Sequence, residues 1–140
     1  MEWKTRITFL KEVPAGVGLS YGHAFETQRP SVIATVPVGY ADGLRRGLSN
    51  NFNVLVHGER CPQVGRITMD MSLIDVTRLR GRVQCGDEVV LIGRQGSDEI
   101  TADDLAVQLG TINYEVVSGI AQRVPRVALD SGPCRPIRPR

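Results

Sequence analysis

The segment FNVLVHGERCPQVGRITMDMSLIDV, residues 52–76, carries the pattern that decides the fold class. Short runs rich in apolar and β-branched residues are interrupted near HGE and QVG, where turn-forming residues stand. In its last part Ile67, Met69, Met71 and Leu73 alternate with polar residues, so they would fall on one face of an extended chain. The segment therefore predicts two or three β-strands.

Further strands are predicted on both sides of this segment. TRITFL alternates around Ile7 and Phe9, whereas DEVVLIG is a short apolar run typical of a strand that is buried on both faces. SVIATVPVGY is rich in β-branched residues, and Pro37 within it indicates a sheet edge or a bulge. Most of the chain is thus expected to be β structure.

The period of the apolar residues changes in SDEITADDLAVQLGTINYEVVSGIAQRV, which predicts two short helices. Thr101 is a suitable N-cap for the first helix, and Gly110 is a suitable residue to end it. The second helix is expected to begin near Thr111 or Asn113. Its buried side chains are expected to be Val116, Val117 and Ile120.

These patterns together predict a mainly β protein: a small antiparallel, barrel-like domain of Greek-key type, with a short two-helix hairpin near the C-terminus. The length of 140 residues fits one domain. We place this β domain at residues 1–129. The last segment, DSGPCRPIRPR at residues 130–140, is rich in Pro and Arg and is expected to be a flexible tail.

Composition argues against several classes of function. The net charge of +2 does not favour binding to nucleic acid or to an anionic membrane. The three cysteines and two histidines lack the spacing of a zinc site or a disulfide framework, so we expect no metal and a reducing compartment. No apolar run approaches the roughly 20 residues that a membrane-spanning helix needs.

Four loops, SYGH, GYADGLRR, GRITMD and TINYE, combine glycine with polar residues. They could place a phenol, a guanidinium and a carboxylate at one rim, and a tyrosine hydroxyl is able to serve as a general acid or base. Since a free tyrosine has a pKa of about 10, such a role near pH 7 needs a nearby cation worth roughly 4 kcal/mol. The residues alone leave another interpretation open, in which the tyrosines end strands, the methionines fill the core and the arginines are solvated.

Five motifs taken in order point to one family. LSYGHAF, VPVGYADGLRR, VGRITMDM, LIGRQG and TINYEVVSGIAQRVPRV resemble the C-terminal domain of bacterial alanine racemase, over about residues 4–128. The resemblance implies a cytoplasmic enzyme that interconverts L- and D-alanine with pyridoxal 5'-phosphate and supplies D-alanine for peptidoglycan. It also implies an N-terminal (β/α)₈ barrel and a head-to-tail homodimer, in which each active site takes residues from the partner's C-terminal domain.

The resemblance implies a role for each matching position. Tyr21 matches the catalytic base on the L-alanine face, and the Met69 backbone matches a group that binds the substrate carboxylate. The Tyr114 hydroxyl matches a contact to the cofactor phosphate. The positions that match the entrance of the active site are Tyr40, Arg46, Arg66 and Ile112.

This chain departs from the family pattern at Thr68 and Met71, neither of which is expected to touch the residues that carry the chemistry. It also departs in the run His23-Ala24-Phe25, so packing around Tyr21 is expected to differ somewhat. Its only lysines, Lys4 and Lys11, lie outside the family's cofactor-lysine motif. The lysine that binds the cofactor covalently is therefore expected in the N-terminal barrel, and the chain alone is expected to be inactive. Two alternatives stay open: a related pyridoxal phosphate-dependent racemase for another amino acid such as serine, or a non-catalytic dimerisation module of the same fold.

Overall fold

The computed structural model of the chain describes residues 1–128, so the tail predicted at residues 130–140 lies outside the described residues. Over this part the chain forms ten β-strands and two short α-helices. The strands are β1 (Trp3–Arg6), β2 (Phe9–Val13), β3 (Gly18–Leu19), β4 (Phe25–Glu26), β5 (Ser31–Val36), β6 (Asn53–Val56), β7 (Glu59–Val64), β8 (Ser72–Asp75), β9 (Glu88–Gln95) and β10 (Asp98–Ile100). The helices are α1 (Ala102–Leu109) and α2 (Asn113–Ser118).

One antiparallel sheet contains most of the strands, in the order β1-β9-β6-β7-β8-β5-β2, and β10 pairs with β9. A separate small ladder joins β3 to β4. The two end strands, β1 and β2, are joined by Ile7 and Thr8, whose N–H groups donate to the carbonyls of Asp87 and Thr35. The chain thus links both ends of the sheet, although no described ladder closes it into a barrel. The predicted mainly β, antiparallel class is confirmed.

The hairpin of β6 and β7 forms at the predicted turn. Val56 pairs with Glu59, which leaves His57 and Gly58 as a two-residue loop. Both loop residues have left-handed backbone angles, with φ of 52° and 76°. This is the arrangement of a type I′ turn, whose twist matches that of the flanking strands.

The strand predicted through Ile67 to Leu73 is wrong in its first half, because β8 begins only at Ser72. Thr68 turns the chain instead: its N–H and hydroxyl both donate to the Met71 carbonyl, and its hydroxyl accepts from the Met71 N–H. Ile67 is buried, but Met69 and Met71 are each 52% exposed. The interpretation of these methionines as core filler is therefore also wrong.

Pro37 marks neither an edge nor a bulge. The strand before it, β5, lies inside the sheet between β2 and β8 and ends at Val36. Proline lacks the N–H that a central strand needs, so its place directly after the strand is compatible with that interior position.

The two predicted helices are present. The Thr101 hydroxyl accepts from the Asp104 N–H, and Gly110 ends α1 in the left-handed conformation with φ of 67°. α2 begins at Asn113 and buries Val116, while Val117 is only partly buried. Buried side chains of the sheet, of both helices and of the segment between β5 and β6 form one contiguous cluster. A chain of this length is thus able to build a core of its own.

Candidate functional site

A cleft of about 380 Å³ opens on the surface beside the predicted site loops. Its lining residues come from three separate stretches of the chain, and they are Tyr21, Tyr40, Arg46, Arg66 and Ile67. Ile67 is buried and forms an apolar part of the lining, whereas the Tyr21 side chain is 75% exposed. Four of the seven predicted site residues are therefore brought together by the fold, and their polar groups reach solvent.

Tyr21 lies in a tight 3₁₀ turn, Tyr21–His23, between β3 and β4. The residue before it, Ser20, has a left-handed φ of 65°. The Ser20 hydroxyl accepts from the Arg66 N–H at 2.7 Å, which connects the turn to the loop that carries the second arginine of the cleft. The phenol and that guanidinium consequently lie on the same side of the domain.

Tyr40 begins a second 3₁₀ turn, Tyr40–Asp42, in which the Asp42 carboxylate accepts from the Gly39 N–H at 2.8 Å. The N–H groups of Tyr40 and Ala41 donate to the carbonyls of Thr68 and Met69, both at 3.0 Å. These bonds require close approach of two backbones, which is why Gly39 has no space for a side chain. The Tyr40 turn and the Met69 loop thus form one structural unit.

Arg123 holds this unit from the outside, and sequence reasoning missed it. Its guanidinium donates to Asp42 and to Asp70, with both N···O distances at 2.7 Å. The hydrogen bonds to Asp42 and then to Asp70 raise the pKa of Arg123 above its usual value. Arg123 lies in the motif TINYEVVSGIAQRVPRV, but nothing in that motif indicates that its partners are Asp42 and Asp70.

The two backbone groups of Met69 differ in their hydrogen bonding. Its carbonyl is occupied by the Ala41 N–H, whereas its own N–H donates to no acceptor within residues 1–128. A backbone N–H at the surface is a suitable donor for a carboxylate oxygen. The geometry is therefore compatible with the role in substrate binding that the resemblance implies.

Ile112 and Tyr114 lie apart from the lining of the cleft. Ile112 precedes α2 and is 62% exposed, and Tyr114 is in its first turn and 75% exposed. The segment after α2 contacts the Tyr40 turn, because the Ala121 N–H donates to the Asp42 carbonyl at 3.0 Å. Helix α2 is consequently fixed to the same structural unit, although its exposed side chains do not form part of the same cleft.

The lysines are far from the expected chemistry. Lys4 on β1 pairs with Glu2 at 2.9 Å and with Glu88 at 3.4 Å, and Lys11 lies on β2 at the other end of the sheet. Neither lines the cleft. The described residues thus offer hydroxyl and backbone donors for a phosphate or carboxylate, but no amine in the cleft to bind an aldehyde cofactor covalently. They also contain no cluster of three or more metal-ligating side chains.

The chain is thus a small antiparallel β domain that presents tyrosines and arginines in an open surface cleft. Residues 1–128 match the family model described as "Alanine racemase, C-terminal domain", and the chain belongs to that family. No helix within the described residues is long and apolar enough to cross a membrane.

Curated relatives are similar at high identity. The chain is 58% identical over 126 residues to an alanine racemase of Halothermothrix orenii and 54% identical over 132 residues to alanine racemase 2 of Caldanaerobacter subterraneus subsp. tengcongensis. These matches cover 90% and 94% of this chain but only 33% and 34% of the relatives. The chain therefore spans about a third of the length of the curated relatives it matches.

Solved structures agree. Alanine racemase from Bacillus anthracis with bound L-Ala-P superimposes with a TM-score of 0.87 at 43% identity, over 94% of this chain and 33% of that one. Alanine racemase from Bartonella henselae with covalently bound pyridoxal phosphate gives a TM-score of 0.83 at 33% identity, over 90% of this chain and 34% of that one. The predicted family is confirmed.

Proposed function

We propose that this chain is the C-terminal part of an alanine racemase and that Tyr21 is its base on the L-alanine face. The observation that carries the proposal is the cleft, in which the fold gathers Tyr21, Tyr40, Arg46 and Arg66 from three stretches of a chain that belongs to the racemase family. The product, D-alanine, is proposed to serve peptidoglycan synthesis in the bacterial cytoplasm.

Pyridoxal phosphate, when bound, supplies the electron-withdrawing group that makes the Cα proton of the amino acid acidic. The Tyr21 phenolate oxygen takes that proton from L-alanine and becomes a hydroxyl, which returns a proton to the same face in the reverse reaction. A tyrosine performs this task near neutral pH only where positive charge stabilises its phenolate. We expect that charge from the N-terminal domain, while Arg46 and Arg66 line the same cleft as Tyr21.

The other site residues bind and orient the reactants. We assign the Met69 N–H to the substrate carboxylate. The Met69 carbonyl already accepts from the Ala41 N–H, which fixes the orientation of this backbone segment. The exposed Tyr114 hydroxyl is assigned to the cofactor phosphate, and Ile112 to the entrance of the site. The covalent attachment of the cofactor is left to a lysine of the N-terminal domain, because Lys4 is already paired with Glu2 and Glu88.

The proposed partners are an N-terminal (β/α)₈ barrel and a second copy of the protein in a head-to-tail homodimer. Large apolar or aromatic side chains stand exposed on the helical hairpin and around the cleft, which is typical of a surface that meets other polypeptide. They are Tyr21, Tyr40, Met69, Val107, Ile112 and Tyr114. In such an assembly these side chains would be withdrawn from water.

The test uses the full-length enzyme that contains this chain. We expect Tyr21→Phe to slow deuterium exchange at Cα of L-alanine by about 10²- to 10⁴-fold, the range for loss of a general base. Exchange at Cα of D-alanine and the visible absorbance of the bound cofactor should be retained. The matched control is Tyr114→Phe, which should weaken cofactor binding without this asymmetry between the enantiomers.

Three other outcomes are informative. Equal loss of exchange with both enantiomers, together with loss of the cofactor, would mark Tyr21 as structural and refute the proposal. Preferential turnover of serine would favour the related racemase, and a stable dimer without any racemisation would favour the dimerisation module. The 140-residue chain alone, mixed with pyridoxal phosphate, should not racemise alanine, because its cleft contains no lysine.

A further inference from the structure

The backbone around Tyr21 is strained. Ser20, Gly22 and His23 have φ angles of 65°, 69° and 48°, so three of four consecutive residues are left-handed and two of these are not glycine. Such conformations cost of order 1–3 kcal/mol each for non-glycine residues and persist only where the surroundings hold them. The segment consequently needs anchors on both sides of Tyr21.

Two anchors are present, and both end on the dipeptide Gly65-Arg66. Before Tyr21, the Ser20 hydroxyl accepts from the Arg66 N–H at 2.7 Å and donates to the Arg66 carbonyl at 3.3 Å. After Tyr21, the Ala24 carbonyl accepts from the Asn50 side-chain amide at 3.0 Å, and the oxygen of that amide accepts from the Gly65 N–H at 2.5 Å. The turn is thus clamped against the residues that lead into the cleft.

Asn50 is itself held in place. Its N–H donates to the side chain of Gln63 at 2.8 Å, and Gln63 is only 1% exposed. The Gln63 amide in turn donates to the carbonyls of Val64 and Gly65, both at 3.0 Å. The Asn50 side chain therefore presents a defined donor and a defined acceptor, since its oxygen faces the Gly65 N–H and its nitrogen faces the Ala24 carbonyl.

We propose that Asn50 is a positioning residue, which fixes the Tyr21 turn beside Arg66. The position requires a left-handed backbone, with φ of 59°, and a side chain that donates and accepts at once. Asparagine meets both requirements, because it tolerates this conformation better than most residues and its amide has both kinds of group. The catalytic consequence rests on the function proposed for Tyr21, whereas the structural consequence does not.

The matched pair of variants is Asn50→Asp and Asn51→Asp. Aspartate at position 50 tolerates the left-handed conformation and still accepts from Gly65, but its carboxylate cannot donate to Ala24. Asn51 is exposed, and its side chain makes no hydrogen bond within the described residues, so the control adds the same charge one residue away. The difference between the two variants isolates the anchor after Tyr21.

The first measurement is NMR relaxation of the 140-residue chain. In Asn50→Asp we expect the amide order parameters of residues 21–24 to fall from a rigid value near 0.85 to about 0.6 or below, with the sheet unchanged. Asn51→Asp should remain rigid. If Asn50→Asp does not fold, Asn50→Gly removes the side-chain anchor, keeps the left-handed backbone accessible and should loosen the same residues. A rigid turn in whichever of the two variants folds overturns the inference.

The second measurement is made on the full-length enzyme. Asn50→Asp should lower kcat for L-alanine by about 10-fold relative to Asn51→Asp, since misplacing a catalytic group by about 1 Å costs up to 100-fold. Its KM and its bound cofactor should change little. Equal kcat in the two variants refutes the catalytic consequence even where the turn is mobile. Failure of the Tyr21→Phe test would instead refute the proposed function and leave the NMR result standing.

Discussion

Gly39→Ala provides a stringent test of how the site is built. A Cβ at this position would stand 2.5 Å from the Met69 carbonyl carbon and closer still to the carbonyl oxygens of Thr68 and Met69. Gly39 has an extended backbone, with φ of −144°, so alanine suffers no conformational strain there and the whole cost is steric. The two loops must separate, which breaks the hydrogen bonds from the Tyr40 and Ala41 N–H groups.

The magnitude follows from these contacts. Overpacking costs about 1–3 kcal/mol, and each backbone hydrogen bond contributes about 0.5–1.5 kcal/mol, so the expected loss of unfolding free energy is about 2–6 kcal/mol. Because whole domains are stable by only about 5–15 kcal/mol, this loss is severe. At about 4 °C per kcal/mol for a domain of this size, the midpoint of thermal unfolding should fall by about 8–24 °C.

The assay is urea denaturation of the 140-residue chain, with Gly47→Ala as the control. A Cβ at Gly47 would meet only the terminal Cδ2 atom of Leu109 at 3.2 Å, and that flexible side chain can move aside. The control should therefore lose less than about 1 kcal/mol. A Gly39→Ala variant that is as stable as the control would refute the close approach of the two loops.

Three further predictions concern other parts of the chain. Hydrogen bonds from the N–H and hydroxyl of Thr101 lower the pKa of Asp104, so its contribution to stability is present above pH of about 4 and is lost as pH falls through the lowered pKa. Asp104→Asn should lower the free energy of unfolding by about 0.5–1 kcal/mol at neutral pH and leave it unchanged in strong acid. Urea denaturation at several pH values measures this difference. In Arg123→Lys, the ammonium group cannot donate to both carboxylates as the planar guanidinium does. The urea midpoint of this variant should therefore fall at low salt and approach that of the parent chain at high salt. Burial raises the pKa of the Cys61 thiol to about 11, so a thiol reagent followed by peptide mass mapping should label Cys85 in the folded chain and Cys61 only after unfolding.

Much of the fold could be predicted from local pattern. The hairpin turn at His57 and Gly58, the buried run of β9 and the ends of α1 at Thr101 and Gly110 all depend on residues within a few positions of one another. Such short-range preferences are visible in the sequence because they act before any distant contact forms. The loop around Met69 was predicted wrongly, since an alternating pattern does not distinguish a strand from an extended loop turned by Thr68.

The candidate site was predictable only in part. The motifs identified Tyr21, Tyr40, Arg46 and Arg66 through resemblance, and the structure places their side chains around one cleft. The residues that hold them there had no signal of their own. Asn50 could be an ordinary turn residue until its bonds to Ala24 and Gly65 are seen, and the partners of Arg123 lie 81 and 53 positions away.

The mainly β class, the helical hairpin and the family are predictable from the sequence, because neighbouring residues encode strands, caps and motifs. The folded chain is needed to see that Tyr21 and Arg66 line one cleft, that Gly39 lies against the Met69 loop and that no lysine lines the cleft. These relations depend on hydrogen bonds and close approach between segments that lie far apart in the chain. The positions of these segments relative to one another follow from the strand pairing of the whole sheet, which no local pattern specifies.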